Sequence, residues 1–246
     1  KQFALHYQPK VDMGTGTIVG AEALLRWHHP IKGLISPADF IPVLETSGLI
    51  LDVGQWVLET ACETLVHWQA QGWWKPGMRL SINISPRQFR RAAFADDVLR
   101  TLKRYPIPEN SLEMEVTEGI VIQQVDEAIV TMRRLAEQGI SFSLDDFGTG
   151  YSSISYLKQL PVTVLKIDQS FVRDIVDDHN DRVLVETIIT MGRLLDLDVV
   201  AEGVELEAQF DILQRYGCHY YQGFYFSPGV TLSAFDTMLA EHTVSA

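Results

Sequence analysis

The chain is short of cysteine, of positive charge and of long apolar runs. Two cysteines, Cys62 and Cys218, stand in 246 residues with no disulfide or zinc-ligand spacing, so each reads as a small core residue. No apolar run approaches the about 18 residues of a membrane span. Twenty Lys and Arg stand against 32 Asp and Glu, a formal charge of -12. A protein that tracks polymeric nucleic acid normally carries a basic face, so that class is set aside. A small phosphate ligand is not, because divalent cations can bridge acids to phosphate. No linker-like, repetitive or low-complexity stretch divides the chain, which therefore reads as a single domain over 1–246. Its start at Lys1, almost directly in a strand, reads as that of a module excised from a larger protein.

What is present is a regular alternation. FALHYQPKVD (3–12) and TIVGAEALLRW (17–27), joined by MGTG, read as an antiparallel hairpin. SPADFIPVLETSG (36–48) and DVGQWVLETACETLVHWQAQG (52–72) read as helices, with Ser36-Pro37 and Asp52 as starts and Gly48 and Gly72 as stops. Six further strands fall at about 79–85, 112–118, 141–146, 163–168, 198–202 and 219–225. Helices lie between them; Val125, Ile129, Met132 and Ala136 share one helical face, and Leu184, Ile188, Met191 and Leu195 another. Eight strands in about 250 residues fit an α/β fold of the (β/α)8 barrel type, a modified TIM barrel with its first strand antiparallel. An open doubly wound sheet is the alternative.

Side chains alternate across a strand, and in a barrel one face meets helices while the other lines the interior. Sorted this way, seven strands each send one strongly polar group inward near the carboxyl end: Glu22, Asn83, Glu115, Asp145, Lys166, Glu202 and Gln222. Active sites of such barrels lie at that end. Glu113, Thr117, Ser81 and Asp168 share the inward phase, and Arg26 shares the phase of Glu22. Burying unpaired charge is costly, so seven converging polar groups argue for a site. Hard oxygen donors suit Mg²⁺ or Mn²⁺, and Glu22, Asn83, Glu115 and Asp145 make one oxygen-rich set. The adjacent acids in SFSLDDFGTGY (141–151), Asp145 and Asp146, could bridge two ions. Two cations about 3.5–4 Å apart clamp the attacking and leaving oxygens in phosphodiester hydrolysis. With so many acids nearby, Lys166 reads as a charged group that orients water or stabilises phosphate, and Glu202 as the more plausible proton acceptor.

EALLRWHHP (22–30), NISPRQF (83–89), EVTE (115–118), DDFGTGYSS (145–153), KIDQSFV (166–172), AEGVE (201–205) and QGFYFSP (222–228) follow one another in that order. Together they resemble the EAL-domain family of cyclic di-GMP phosphodiesterases, over about Phe3 to Pro228. DFG alone would also suggest a kinase, but no HRD or glycine-rich strand loop accompanies it. The resemblance implies a metal-dependent hydrolase that opens cyclic di-GMP to linear 5'-pGpG with metal-activated water, ending a bacterial second-messenger signal. It implies Glu22, Asn83, Glu115 and Asp145 as ligands of a first Mg²⁺ or Mn²⁺ and Asp146 as a ligand of a second. Lys166 would touch the attacking water, Gln222 position it, and Glu202 serve as a metal ligand or water-orienting group. Gln8 and Arg26 would contact substrate. Glu118 would anchor the loop after Asp146, and Glu205, the second acid of AEGVE, is grouped with it. A cytoplasmic module, a homodimer and an upstream sensor or cyclase domain are further expectations. A receptor that binds the dinucleotide without cutting it, and a metal-dependent barrel enzyme with another substrate, are the alternatives.

Overall fold

In the computed structural model, residues 2–123, 125–148 and 154–244 are described. Ten strands form one sheet: β1 (Phe3–Asp12), β2 (Ile18–His29), β3 (Gly33–Ile35), β4 (Arg79–Asn83), β5 (Leu112–Thr117), β6 (Ile140–Phe147), β7 (Val164–Ile167), β8 (Asp198–Glu202), β9 (Tyr220–Gln222) and β10 (Val230–Thr231). The order β10-β1-β9-β8-β7-β6-β5-β4-β2-β3, with β1 also paired to β2, closes eight of them into a barrel. From β2 through β4 to β9 every barrel pairing is parallel, whereas β1 is antiparallel to both β2 and β9. This is the modified (β/α)8 barrel expected from the opening hairpin. Asp12 organises that hairpin: its Oδ1 accepts from the amides of Gly14 and Thr15 at 2.9 and 2.7 Å.

The outward strand faces carry the core. Leu80, Ile82, Leu112, Met114, Val116, Phe142, Leu144, Leu165, Ile167, Val199 and Ala201 are all buried. They pack under helices that include Ile50–Ala70, Val125–Ala136 and His179–Leu194, whose buried faces follow a helical period. Gly48 ends the helix Pro37–Ser47 in the left-handed region at φ 85°, and the next helix begins at Ile50, with Asp52 in its first turn rather than at its cap. Trp68 stacks on Trp74 at 4.8 Å between ring centroids and packs on Tyr7 and Phe235, tying β1 and the C-terminal helix Leu232–Val244 to the barrel wall. Trp73 and Trp74 belong to this same cluster.

Strand register sets the interior layers. Gln8 faces Glu22, Asn83 faces Glu115, Thr117 faces Asp145 and Glu202 faces Gln222 across their respective pairs. One layer lower, Lys10 faces Gly20 and Ser81 faces Glu113. Because β1 runs backwards, Gln8 lies nearer the carboxyl mouth of the other strands than Lys10 does.

A carboxylate ring at the barrel mouth

Lys166 stands at the centre of the upper layer, 1% exposed. Its Nζ lies 2.5 Å from Glu115 Oε2, 2.5 Å from Glu202 Oε1, and 3.4 Å from both Glu22 Oε2 and Asp145 Oδ1. Four carboxylates from β2, β5, β6 and β8 thus converge on one point supplied by β7. Gln222 Nε2 donates to Glu22 Oε2 at 2.7 Å and to Gln8 Oε1 at 3.0 Å, while Gln8 Nε2 donates to the Ser227 carbonyl. Asn83 Nδ2 donates to Glu22 Oε1 at 2.6 Å from the open rim. The structure therefore gathers Gln8, Glu22, Asn83, Glu115, Asp145, Lys166, Glu202 and Gln222 into one polar mouth.

Asp146 sits beside it, half-buried, with backbone φ 53°. Its amide donates to Asp145 Oδ1 at 3.0 Å, at an irregularity of β6 that lets two adjacent acids share one rim. Burial first, then Asp145 and Asp168, push the Asp146 carboxyl up to about 6. Asp168 was read as inward-facing; it caps the following helix through the Ser170 amide at 2.9 Å and bonds to Asp146. Arg26 is half-buried and donates to its neighbour's carbonyl, Leu25 O, at 3.0 Å. It lines a groove of about 440 Å³ together with Leu24, Pro37, Ile41, Asn83 and Asp146.

The electrostatics are those of an acid-rich cavity. Burial above all, with the neighbouring carboxylates, raises Glu22 and Asp145 from their ordinary values and Glu202 well above its own. Burial opposes the charge on Lys166, but Asp145, Glu115 and Glu202 outweigh it and hold the ammonium protonated. Glu115 is the exception among the acids: burial pushes it up, yet Lys10 and Lys166 together bring it down to about 2. Among the described residues no three acid, His or Cys side chains are arranged to hold an ion as they stand; the acids face the Lys166 ammonium instead. The donor chemistry nevertheless fits a hard dication. Five interior carboxylates, those of Glu22, Glu113, Glu115, Asp145 and Glu202, face Lys10, Lys166 and, at the lower end, Arg79. Every donor is an oxygen of the type Mg²⁺ and Mn²⁺ prefer.

Glu118 opens the helix Glu118–Gln123 directly above β5. Both its carboxylate oxygens are buried without a hydrogen-bond partner among the described residues. The loop it was expected to anchor lies largely at 149–153, outside the described residues. Glu205 is not brought to the mouth: it is exposed beyond β8, and its amide donates to Gln209 Oε1 at 2.8 Å. Phe224 is 65% exposed just past Gln222, because Gly223 ends β9 in a turn. His28 and His29 lie at the end of β2.

The sequence reading missed Lys10. Its ammonium donates to Ser81 Oγ at 2.5 Å and to Glu113 Oε1 and Glu115 Oε1 at 2.9 Å each. The signal was the period-two phase of HYQPK, which puts Gln8 and Lys10 on one face.

A closed barrel with a reversed strand and a carboxylate-lined mouth belongs to the TIM-barrel class with its chemistry at the carboxyl end. The particular family follows from comparison. The EAL domain family matches residues 1–229, and the chain belongs to that family. It is 44% identical over 224 residues to the bifunctional diguanylate cyclase/cyclic di-GMP phosphodiesterase MucR of Pseudomonas aeruginosa, covering 91% of this chain and 32% of that protein. It is 40% identical to a cyclic di-GMP phosphodiesterase of the same organism, covering 90% of this chain and 37% of that protein. The solved phosphodiesterase domain of MucR, in complex with cyclic di-GMP, superposes with a TM-score of 0.92 at 42% identity, covering 95% of this chain and 94% of that one. The EAL domain of Mycobacterium smegmatis DcpA superposes at 0.84 with 37% identity, covering 98% of each chain. The chain spans about a third of the length of the curated relatives it matches.

Proposed function

We propose that this chain hydrolyses one phosphodiester bond of cyclic di-GMP, giving linear 5'-pGpG, with Mg²⁺ or Mn²⁺ held at the barrel mouth. The observation that carries the reading is the convergence of Glu22, Glu115, Asp145 and Glu202 within 3.4 Å of a single cationic atom. The phosphodiesterase relatives and the cyclic di-GMP complex of a 42% identical domain give it its substrate.

Glu22, Asn83, Glu115 and Asp145 would hold a first ion, and Asp146 a second on the Asp168 side. A dication there supplies activated water and neutralises phosphate charge. The chain's own residues do the rest. Lys166, held protonated by its acids, places a positive charge against the developing charge on phosphate and orients the attacking water. Glu202, whose carboxyl burial holds well above its usual range, is suited to take a proton. Gln222 is fixed by Gln8 and Glu22 and retains a buried Oε1 without a partner among the described residues, free to accept from water. Arg26 offers a planar donor fork to phosphate from the wall of the groove, whose volume suits part of a dinucleotide. Glu118 would hold the loop that follows Asp146.

The module acts as one domain, in the cytoplasm, as a homodimer and under an upstream sensor or cyclase domain. No described helix is long and apolar enough to cross a membrane. The test is incubation with cyclic di-GMP in Mg²⁺, in Mn²⁺ and in EDTA, with products separated by chromatography. Release of pGpG only with metal is the expected result. Binding without cleavage would assign a receptor, and neither binding nor cleavage another substrate.

A further inference from the structure

The barrel interior holds a charged column beneath the mouth. Arg79 Nη1 lies 3.5 Å from Glu113 Oε2; Lys10 bridges Glu113 Oε1 and Glu115 Oε1; and Lys166 takes Glu115 Oε2. Signs alternate along its whole length. Lys10 and Glu113 are 6% and 1% exposed, and all three N–H donors of Lys10 are used. Ser81 fixes the lower end from both sides, accepting from Lys10 and donating to Glu113 Oε1 at 2.6 Å. The lower end of the column borders a cavity of about 200 Å³ lined by Lys10, Arg79, Glu113, Asp198 and Tyr220 among others.

Glu115 is thus held through both oxygens by two different ammonium groups. One of them, Lys166, belongs to the mouth; the other belongs to the layer below and reaches no substrate. We propose that Lys10 is a positioning residue, whose ammonium, anchored by Ser81 and Glu113, fixes the Glu115 carboxylate in the orientation in which it serves the cation site. This rests on the metal-dependent reading above. β1 supplies both groups: Gln8 goes to the upper layer and, because the strand runs backwards, Lys10 two residues later goes to the lower one in the same inward phase.

Two roles for Lys10 differ in sign. If it only balanced charge, removing it would leave the mouth more acidic and bind a dication more tightly. If it positions Glu115, removing it loosens a ligand and weakens binding, by about 10–100-fold on the scale of outer-shell substitutions. The K10M/E113Q double variant separates the two, because it deletes one positive and one negative charge and keeps the interior volume.

The experiment compares wild type, K10M and K10M/E113Q, each metal-free, by thermal melting, by Mn²⁺ titration with electron paramagnetic resonance detection of free ion, and by cyclic di-GMP hydrolysis over a range of Mn²⁺. The expected result is a double variant that melts near wild type, binds Mn²⁺ at least tenfold more weakly and regains part of its rate as Mn²⁺ is raised. Mn²⁺ affinity within threefold of wild type in the folded double variant overturns the proposal, as does tighter binding, whether or not K10M itself folds. A wild-type chain that neither binds Mn²⁺ nor cleaves overturns the functional reading itself, and that outcome is seen before any variant is made.

Discussion

Lys166 Nζ and Glu115 Oε2 meet at 2.5 Å in the interior of the barrel, with both side chains 1% exposed. An ammonium so placed cannot be a free base. Asp145, Glu115 and Glu202 hold it charged against the pull of burial, so its contribution is a fixed positive charge. Lys166→Ala is expected to lower turnover by about 10²–10³-fold, the scale for losing one preorganised donor to developing charge. Cyclic di-GMP affinity, which the proposed function assigns to the groove around Arg26, should stay measurable. Rate assays paired with calorimetric binding check this, and an unchanged kcat would remove Lys166 from the reaction.

Much of this mouth was legible because strand side chains alternate and a buried charge must have a reason. Glu22, Glu115, Asp145, Lys166, Glu202 and Gln222 are placed by phase alone, and the hairpin gave the reversed strand. The vertical register was not legible. That Glu113 meets Lys10 depends on how far β1 is staggered against β5, two strands that do not pair. Glu205 shows the opposite limit: a motif names it, but the chain leaves β8 after Glu202 and turns it to solvent. Phe224 is apolar by type and exposed by geometry, because Gly223 turns the chain out of the barrel.

Glu118 carries a buried carboxylate with no hydrogen-bond partner among the described residues, an arrangement that costs stability. Glu118→Gln removes the charge and keeps the shape. Melting temperature should hold or rise, while turnover falls by about tenfold or more. Differential scanning calorimetry and rates measured on the same preparation decide. Equal turnover with unchanged melting would make Glu118 a passive part of its helix.

Burial pushes the Cys62 and Cys218 thiols, ordinarily near 9, and the Tyr7 hydroxyl, ordinarily near 10, each up to about 12. In the unfolded chain these groups ionise at their ordinary values, while the folded chain keeps them protonated. Above pH 9 the unfolded state therefore binds fewer protons than the native one, and stability falls as pH rises. The stabilisation is fully present below pH 9 and is lost between pH 9 and 12. Urea midpoints across that range should drop steadily. The C62A/C218A variant should show a shallower drop that begins nearer pH 10, where Tyr7, Tyr220, Tyr221, Lys10 and Lys166, all held protonated in the folded chain, remain; an identical slope would contradict the assignment.

Gly223 closes the mouth on the β8–β9 side. A Cβ there would stand 2.0 Å from the Val204 carbonyl oxygen and 2.4 Å from its amide nitrogen, both backbone atoms that cannot swing aside. The two segments are also laced together, Val204 N donating to Gln222 O at 3.2 Å and Tyr225 N to Val204 O at 2.9 Å. Gly223→Ala must push the end of β9 away from β8, drawing Gln222 off Gln8 and Glu22 and opening the Glu202–Gln222 pairing. A destabilisation of about 1–3 kcal/mol is expected, the usual size of an overpacking strain, together with a loss of turnover. Gly119→Ala is the control: it lies in a helix with nothing within 4 Å of its added Cβ, so it should be neutral or slightly stabilising. Urea denaturation of the two variants side by side tests the contact, and a Gly223→Ala chain as stable as Gly119→Ala would show that β8 and β9 do not approach this closely.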